Sequence, residues 1–211
     1  MPSPASWRAT PPAGYRGPRI VLMHGLAAGN HMERHLLKFL RDAGYPDTTL
    51  YSNYTRPAVI AQDVAAAVRD GRPVALVGYS QGGFQLVKVA QALAQEDLAV
   101  DLLVTIAAGG GGRLYFPQWF ARPRRIPRNV KRCLNFYAEG DWLGTDLVPA
   151  MNLAKAESAA TQVENIAFPR DAGVDHIGIV RCYPAERVAP AVKTQLLDRL
   201  RQELAALTAA H

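Results

Sequence analysis

The sequence predicts an α/β fold, in which a mostly parallel sheet is covered by helices on both faces. Apolar, β-branched runs alternate along nearly the whole chain with segments whose apolar residues recur at helical spacing. The 211 residues suffice for one domain with a sizeable core, and 49% hydrophobic and 20% charged residues are typical of a globular protein.

The first half of the chain predicts three strands, each followed by a helix. The strands cover 19–23, 48–54 and 73–79, where β-branched and apolar residues cluster. The helices run from about 31 to 43, from about 57 to 70, and from about 84 to 93. Asn30 is the expected cap of the first helix and Gly44 its expected end, while Pro57 suits a first helical position.

The second half predicts three more strands, over 100–107, 131–138 and 161–168, and two helices, over 147–160 and 184–206. Pro190 marks either a break in the closing helix or its true start. The segment 109–129 matches neither period, and connections of this length are usually functional loops or insertions. We therefore expect one domain over 19–211 with a short cap-like insertion at about 109–129. We expect the Pro-rich residues 1–18 to form a mobile leader.

One serine stands at a sharp turn between a buried strand and a helix, in the motif Gly78-Tyr79-Ser80-Gln81-Gly82. A nucleophile elbow requires this context, because a strained backbone lifts the serine hydroxyl clear of the sheet. The glycines lack a Cβ, which lets the strand and the helix approach closely. The same motif also occurs by chance in ordinary strand–helix turns, so its interpretation depends on residues elsewhere.

A serine hydroxyl is a weak nucleophile that needs a base, and the base needs an orienting group. His176 lies in the loop after the last predicted strand, at the edge of the sheet where α/β active sites lie. Asp141 lies just past the end of the preceding predicted strand. The alternative acids are Asp146, Asp171 and Asp175.

The chain resembles the α/β-hydrolase superfamily in the order of its candidate residues, Ser80, Asp141 and His176. It also resembles that superfamily in having His24-Gly25 after the first strand. The resemblance extends over 19–206, nearly the whole chain. It implies that Ser80 attacks an acyl carbonyl, that His176 takes and returns the proton, and that Asp141 holds the imidazole. It also implies an oxyanion hole made by the backbone N–H groups of Leu26 and Gln81, with His24 shaping the turn.

The elbow also resembles those of cutinase-like proteins and of small lipases or esterases. Cutinases carry disulfides and export signals, which this chain does not show, so the subfamily stays open.

Aromatic residues of the 109–129 segment are the expected substrate-recognition element. Tyr115, Phe116, Trp119 and Phe120 would supply an apolar wall for an acyl chain, or would pack the segment onto the domain. Tyr79, beside Ser80, and Trp142, beside Asp141, are also expected to contact the substrate.

The net charge of +6 comes largely from basic residues within 113–132. A solvated loop is the favoured interpretation, and the alternatives are a nucleic-acid surface, an acidic leaving group or a lipid surface. We expect a small acyl ester or thioester as the substrate and no nucleic-acid partner. The acyl chain length, the leaving group and the oligomeric state stay open.

No cofactor or metal is expected. His31 and His35 have i,i+4 spacing but lack a third ligand, which favours a solvated helix face. Cys133 and Cys182 are too few for a disulfide scaffold and are expected to be buried thiols. No apolar run approaches the roughly 20 residues that span a bilayer, and the N-terminus lacks the apolar region of a secretory signal. We therefore expect a cytoplasmic protein.

Together these observations favour a serine hydrolase of the carboxylesterase, lipase or thioesterase type. Acyl transfer to an alcohol is a related alternative, while serine rather than aspartate at the elbow disfavours a dehalogenase. The alternatives from other classes are a catalytically idle hydrolase fold that binds a ligand or a protein, and a nucleic-acid-binding protein.

Overall fold

The computed structural model describes residues 4–109, 124–182 and 188–209. Its main strands are β1 (Arg19–Met23), β2 (Thr48–Tyr51), β3 (Val74–Tyr79), β4 (Val100–Ile106), β6 (Val130–Ala138) and β8 (Gln162–Phe168). They form one parallel sheet in the order β2-β1-β3-β4-β6-β8. The short strands β5 (Arg125–Ile126) and β7 (Lys155–Ala156) pair separately. The predicted fold class is confirmed.

Within the described residues, four helices cover the two faces of the sheet. Helix α1 comprises Gly29–Met32, a π-helical turn Glu33–Leu37, and Lys38–Asp42, while α2 is Pro57–Arg69 and α3 is Gln81–Ala94. The terminal helix α4 comprises Val192–Asp198, also π-helical, and Arg199–Ala209.

Side chains of the strands alternate between the two faces. Ile20 and Leu22 of β1 belong to the core under α1 and α4, whereas Val21 and Met23 belong to the core under α2 and α3. Burial on both faces explains why the strands appear in the sequence as continuous apolar runs. No helix in the described ranges is both long enough and apolar enough to cross a membrane.

The predicted helix over 147–160 is wrong. This segment instead forms a 3-10 turn, Pro149–Asn152, and the strand β7. Leu147, which would have belonged to the apolar face of that helix, is 75% exposed. The Asn152 side chain accepts a hydrogen bond from the Asp146 N–H at 2.8 Å, so the segment folds back on itself through a contact between a local side chain and the backbone.

The predicted cap at Asn30 is also wrong, because α1 begins at Gly29, two residues before the predicted start at His31, with Ala28 in the capping position. A Cβ on Gly29 would lie 2.5 Å from the indole of Trp7, which explains a glycine there. The end of the helix at Gly44 is confirmed, with φ +95°.

At the other end of the chain, helical backbone starts at Pro190, which settles the choice between a break and a start. Residues 183–187, part of the predicted closing helix, lie outside the described residues. Both cysteines are buried thiols, as predicted, and burial raises the pKa of Cys133 to about 12.

Candidate active site

The candidate functional residues gather at one edge of the sheet. Because the six main strands are parallel, their carboxyl ends lie along the same edge. Leu26 follows β1, Ser80 follows β3, Asp141 follows β6 and His176 follows β8.

Ser80 occupies a strained turn between β3 and α3. Its backbone has φ 54° and ψ −128°, a region that residues with a side chain rarely adopt and that costs about 1–3 kcal/mol. The neighbouring glycines make the turn possible. A Cβ on Gly78 would lie 2.6 Å from the Cα of Gly83, and one on Gly82 would lie 2.9 Å from the His24 carbonyl oxygen. The strained elbow predicted from the motif is therefore present.

Ser80, His176 and Asp141 form a continuous chain of hydrogen bonds. The Ser80 Oγ lies 3.1 Å from His176 Nε2, and His176 Nδ1 lies 2.7 Å from Asp141 Oδ2. With the imidazole proton on Nδ1, His176 donates to Asp141 and keeps Nε2 free to accept the serine proton. The Asp141 carboxylate is only 1% exposed. Its Oδ1 accepts hydrogen bonds from the N–H groups of Leu143 at 2.9 Å and Gly144 at 2.8 Å.

The three alternative acids have other partners or positions. Asp146 forms an ion pair with Arg124 at 2.8 Å, and both side chains are largely buried. Asp175 accepts a hydrogen bond from the Gly178 N–H, and Asp171 is exposed. Of the four candidates, Asp141 is therefore the acid that the structure brings to His176.

The backbone around His176 is held by two side chains from the other side of the site. The Tyr79 hydroxyl donates to the His176 carbonyl at 2.7 Å, and the two rings lie 5.1 Å apart. Burial raises the pKa of Tyr79, with Asp141 adding to the shift, so its hydroxyl keeps its proton. His31 Nε2 lies 3.2 Å from the Ile177 carbonyl oxygen.

The predicted solvated face for His31 and His35 is therefore wrong. Both histidines are partly buried against the segment that follows His176, and His35 Nδ1 lies 3.1 Å from the Cys182 carbonyl oxygen. Among the described residues, no group of three or more His, Cys, Asp or Glu side chains is placed to hold a metal.

The two residues expected to supply the oxyanion donors lie on segments that adjoin the serine. Gln81 is the first residue of α3, where a backbone N–H has no acceptor within the helix. The turn that carries Leu26 lies against the elbow, because a Cβ on Gly25 would be 3.0 Å from Ser80 Oγ. His24 is fixed in this turn, with Nδ1 2.5 Å from the Gly25 carbonyl oxygen, and burial lowers its pKa.

Sequence reasoning missed two residues that shape the site. A Cβ on Gly144 would overlap Asp141 Oδ2 and lie 2.8 Å from His176 Nδ1, so only glycine permits the contact between these two residues. Its position in Gly140-Asp141-Trp142-Leu143-Gly144 was the available signal.

Trp7 is the second residue that sequence reasoning missed, and no motif around it indicated a role in the site. It lies in the expected leader, yet it is 7% exposed and its indole donates to Glu33 Oε2 at 3.0 Å. Its ring packs edge-on against His24, with ring centres 5.2 Å apart, and therefore supports the turn beside the serine.

A cavity of about 440 Å³ opens beside Ser80 and is lined in part by Tyr79 and His176. Leu143 lines it, whereas the expected contact residue Trp142 lies outside its wall and is 64% exposed. The four expected aromatic contacts lie in 110–123, outside the described residues; they are Tyr115, Phe116, Trp119 and Phe120.

Comparison with known proteins supports the same fold. A model of the alpha/beta hydrolase family matches residues 20–208. No curated protein matches the chain.

Similar solved structures include the RedJ thioesterase of prodiginine biosynthesis in Streptomyces coelicolor, at 14% identity and TM-score 0.55, over 96% of this chain and 98% of that one. Human thioesterase 2 matches at 11% identity and TM-score 0.55, over 90% and 97%. Est1E from Butyrivibrio proteoclasticus, with ferulic acid bound, matches at 12% identity and TM-score 0.55, over 95% and 93%. At these identities the likeness concerns the fold.

Proposed function

Because this chain belongs to the alpha/beta hydrolase family, we propose that it is a serine hydrolase that cleaves a carboxylic ester or thioester. The observation that carries the proposal is the continuous hydrogen-bonded chain from Ser80 through His176 to the buried carboxylate of Asp141. Ser80 and His176 line a cavity that is large enough for a small acyl group.

In the first half of the reaction, Ser80 Oγ attacks the acyl carbonyl carbon while its proton passes to His176 Nε2. The bond between the acyl carbon and the leaving oxygen or sulfur then breaks. The leaving alcohol or thiol takes the proton from His176, and an acyl-enzyme remains on Ser80. In the second half, water gives a proton to His176 as it attacks the acyl carbon. The bond between that carbon and Ser80 Oγ then breaks, Ser80 takes the proton back from His176, and the acid is released.

Asp141 acts through His176 in both halves. Its carboxylate accepts a hydrogen bond from the Nδ1–H group, which keeps Nε2 available as a base and stabilises the imidazolium that forms. Because Oδ1 is already held by two backbone N–H groups, Oδ2 stays directed at His176.

The negative charge that develops on the carbonyl oxygen requires donors beside Ser80. The backbone N–H groups of Gln81 and Leu26 are the proposed oxyanion hole, because they lie on the elbow and on the turn packed against it. Backbone donors that are already in place need little reorganisation as the charge forms.

Both the ester and the thioester belong to the proposal. The same acyl-enzyme chemistry serves an oxygen or a sulfur leaving group. The fold neighbours include two proteins described as thioesterases.

A fluorophosphonate probe tests the proposal, since it forms a bond from phosphorus to an activated serine and releases fluoride. We expect one adduct per chain, on the Ser80 peptide, together with hydrolysis of p-nitrophenyl butyrate or butyryl-CoA. Ser80→Ala should lose both, whereas Ser52→Ala, at a turn after β2, should keep both. A folded wild-type protein that neither labels at Ser80 nor hydrolyses either substrate would contradict the proposal and favour an idle fold that binds a ligand.

A further inference from the structure

The cavity beside Ser80 has an aliphatic wall drawn from three parts of the chain. The turn after β1 and the start of α1 contribute Leu26, Ala27 and Ala28. The loops after β6 and β8 contribute Leu143 and Ile177. Leu26, Leu143 and Ile177 are each about half exposed and form the outer wall. Ala28 is partly buried against the core under α1 and α4 and belongs to the inner wall.

The wall carries no permanent charge among the described residues that line it. Its titratable members are Tyr79, His31 and the proposed base His176. Burial lowers the pKa of His31, and the neighbouring His35, Arg34 and Arg181 lower it further, so its imidazole is neutral at pH 7. A charged group that entered this cavity would lose hydration without gaining a partner from this wall.

We propose that this cavity is the acyl-binding subsite and that it selects a neutral aliphatic acyl group of medium length, with Ala28 limiting the chain. The proposal rests on the serine hydrolase function proposed above. The volume of about 440 Å³ equals that of roughly 15 water molecules. A methylene group occupies about as much space as a water molecule, so about 15 methylenes are the upper limit. We take a chain of about six to ten carbons as the expected occupant, which leaves the rest of this open cavity to solvent.

Two consequences follow for catalysis. Each methylene that enters the cavity should raise kcat/KM about fourfold until the cavity is full. An acyl group that ends in a carboxylate should react far more slowly than a neutral acyl group of the same length, because its charge must be desolvated against an aliphatic wall.

The test compares p-nitrophenyl esters with acyl chains of 2 to 14 carbons and the p-nitrophenyl monoester of succinic acid. The variants are Ala28→Phe, which fills the inner wall, and Leu143→Phe, which narrows the cavity without touching α1. Ala66→Phe is the matched control, since Ala66 is an exposed residue of α2. The measured quantity is the ratio of kcat/KM for the octanoyl and acetyl esters, which does not depend on the fraction of folded enzyme.

For the wild type we expect a maximum at about six to ten carbons and strong discrimination against the succinate. Ala28→Phe should lower the octanoyl-to-acetyl ratio by roughly two orders of magnitude, equivalent to the space of three to four methylenes, and Leu143→Phe should lower it too. Ala66→Phe should keep the ratio.

The proposal would be overturned by a wild-type preference for acetyl or succinyl esters, or by unchanged ratios in both cavity variants while Ser80 still reacts with the phosphonate probe. Loss of Ser80 labelling and of all ester turnover in the wild type would instead contradict the proposed function itself.

Discussion

Replacing Asp141 by asparagine tests whether its carboxylate sets the protonation of His176. The N–H groups of Leu143 and Gly144 both donate to Oδ1, at 2.9 and 2.8 Å. An amide NH₂ at that position would face two donors, so the amide oxygen must take it. The NH₂ group is then forced into the place of Oδ2, which lies 2.7 Å from His176 Nδ1.

This arrangement reverses the imidazole tautomer. The amide donates to Nδ1, so the proton of His176 moves to Nε2 and faces Ser80 Oγ at 3.1 Å, where no base remains. The same substitution in a serine protease triad lowers kcat about 10⁴-fold, and that factor corresponds to about 5.5 kcal/mol of barrier. KM should change little, because Asp141 does not line the cavity.

The assay is the kcat and KM of Asp141→Asn for a p-nitrophenyl ester, with a thermal melt to establish folding. Asp171→Asn is the matched control, because Asp171 is exposed and distant in sequence from the proposed acid. The reasoning is refuted if folded Asp141→Asn keeps kcat within about tenfold of wild type, or if Asp171→Asn loses as much.

Gly144→Ala should fold but lose most of kcat, because the added Cβ displaces Asp141 Oδ2 from His176. The control is Gly140→Ala, since a Cβ on Gly140 would meet nothing within 4 Å. Equal kcat values for the two variants would contradict this role of Gly144. The free energy of unfolding should fall as the pH drops below about 6.5. Burial lowers the pKa of His24 and of His31, so below this pH these two histidines bind more protons in the unfolded chain than in the folded one. Urea denaturation between pH 7.5 and 5 measures this decline. It should be shallower in His31→Asn, and an identical slope would argue against a contribution from His31.

Much of the fold was predictable because strands and helices obey simple periods. The run 19–23 matches β1 residue for residue, and Pro57 starts α2 because its fixed φ suits the first helical turn. The prediction of a helix over 147–160 failed because Leu147, Val148 and Met151 are exposed and Asn152 binds backbone of its own loop. The spacing of apolar residues cannot predict the contact that Asn152 makes, because that contact depends on where the loop folds back.

The arrangement of the site was predictable only in outline. Residues after parallel strands must meet at one edge of the sheet, which is why Ser80, Asp141 and His176 could be grouped before any distance was known. The role of Gly144 depends on the path of one loop. Trp7 lies in the expected leader and packs against His24, which directly follows β1. No local sequence pattern predicts a contact between two such distant segments.

Trapping the acyl-enzyme shows directly whether Ser80 carries the acyl group during turnover. The enzyme is mixed with a hexanoyl ester or a hexanoyl thioester, quenched in acid within milliseconds, and analysed by the mass of the intact protein and of its peptides. We expect the same hexanoyl adduct on the Ser80 peptide from both substrates, formed and lost at rates compatible with turnover. Steady hydrolysis by an enzyme that never carries an acyl group on Ser80, or that carries it on another residue, would rule out the proposed acyl-enzyme mechanism.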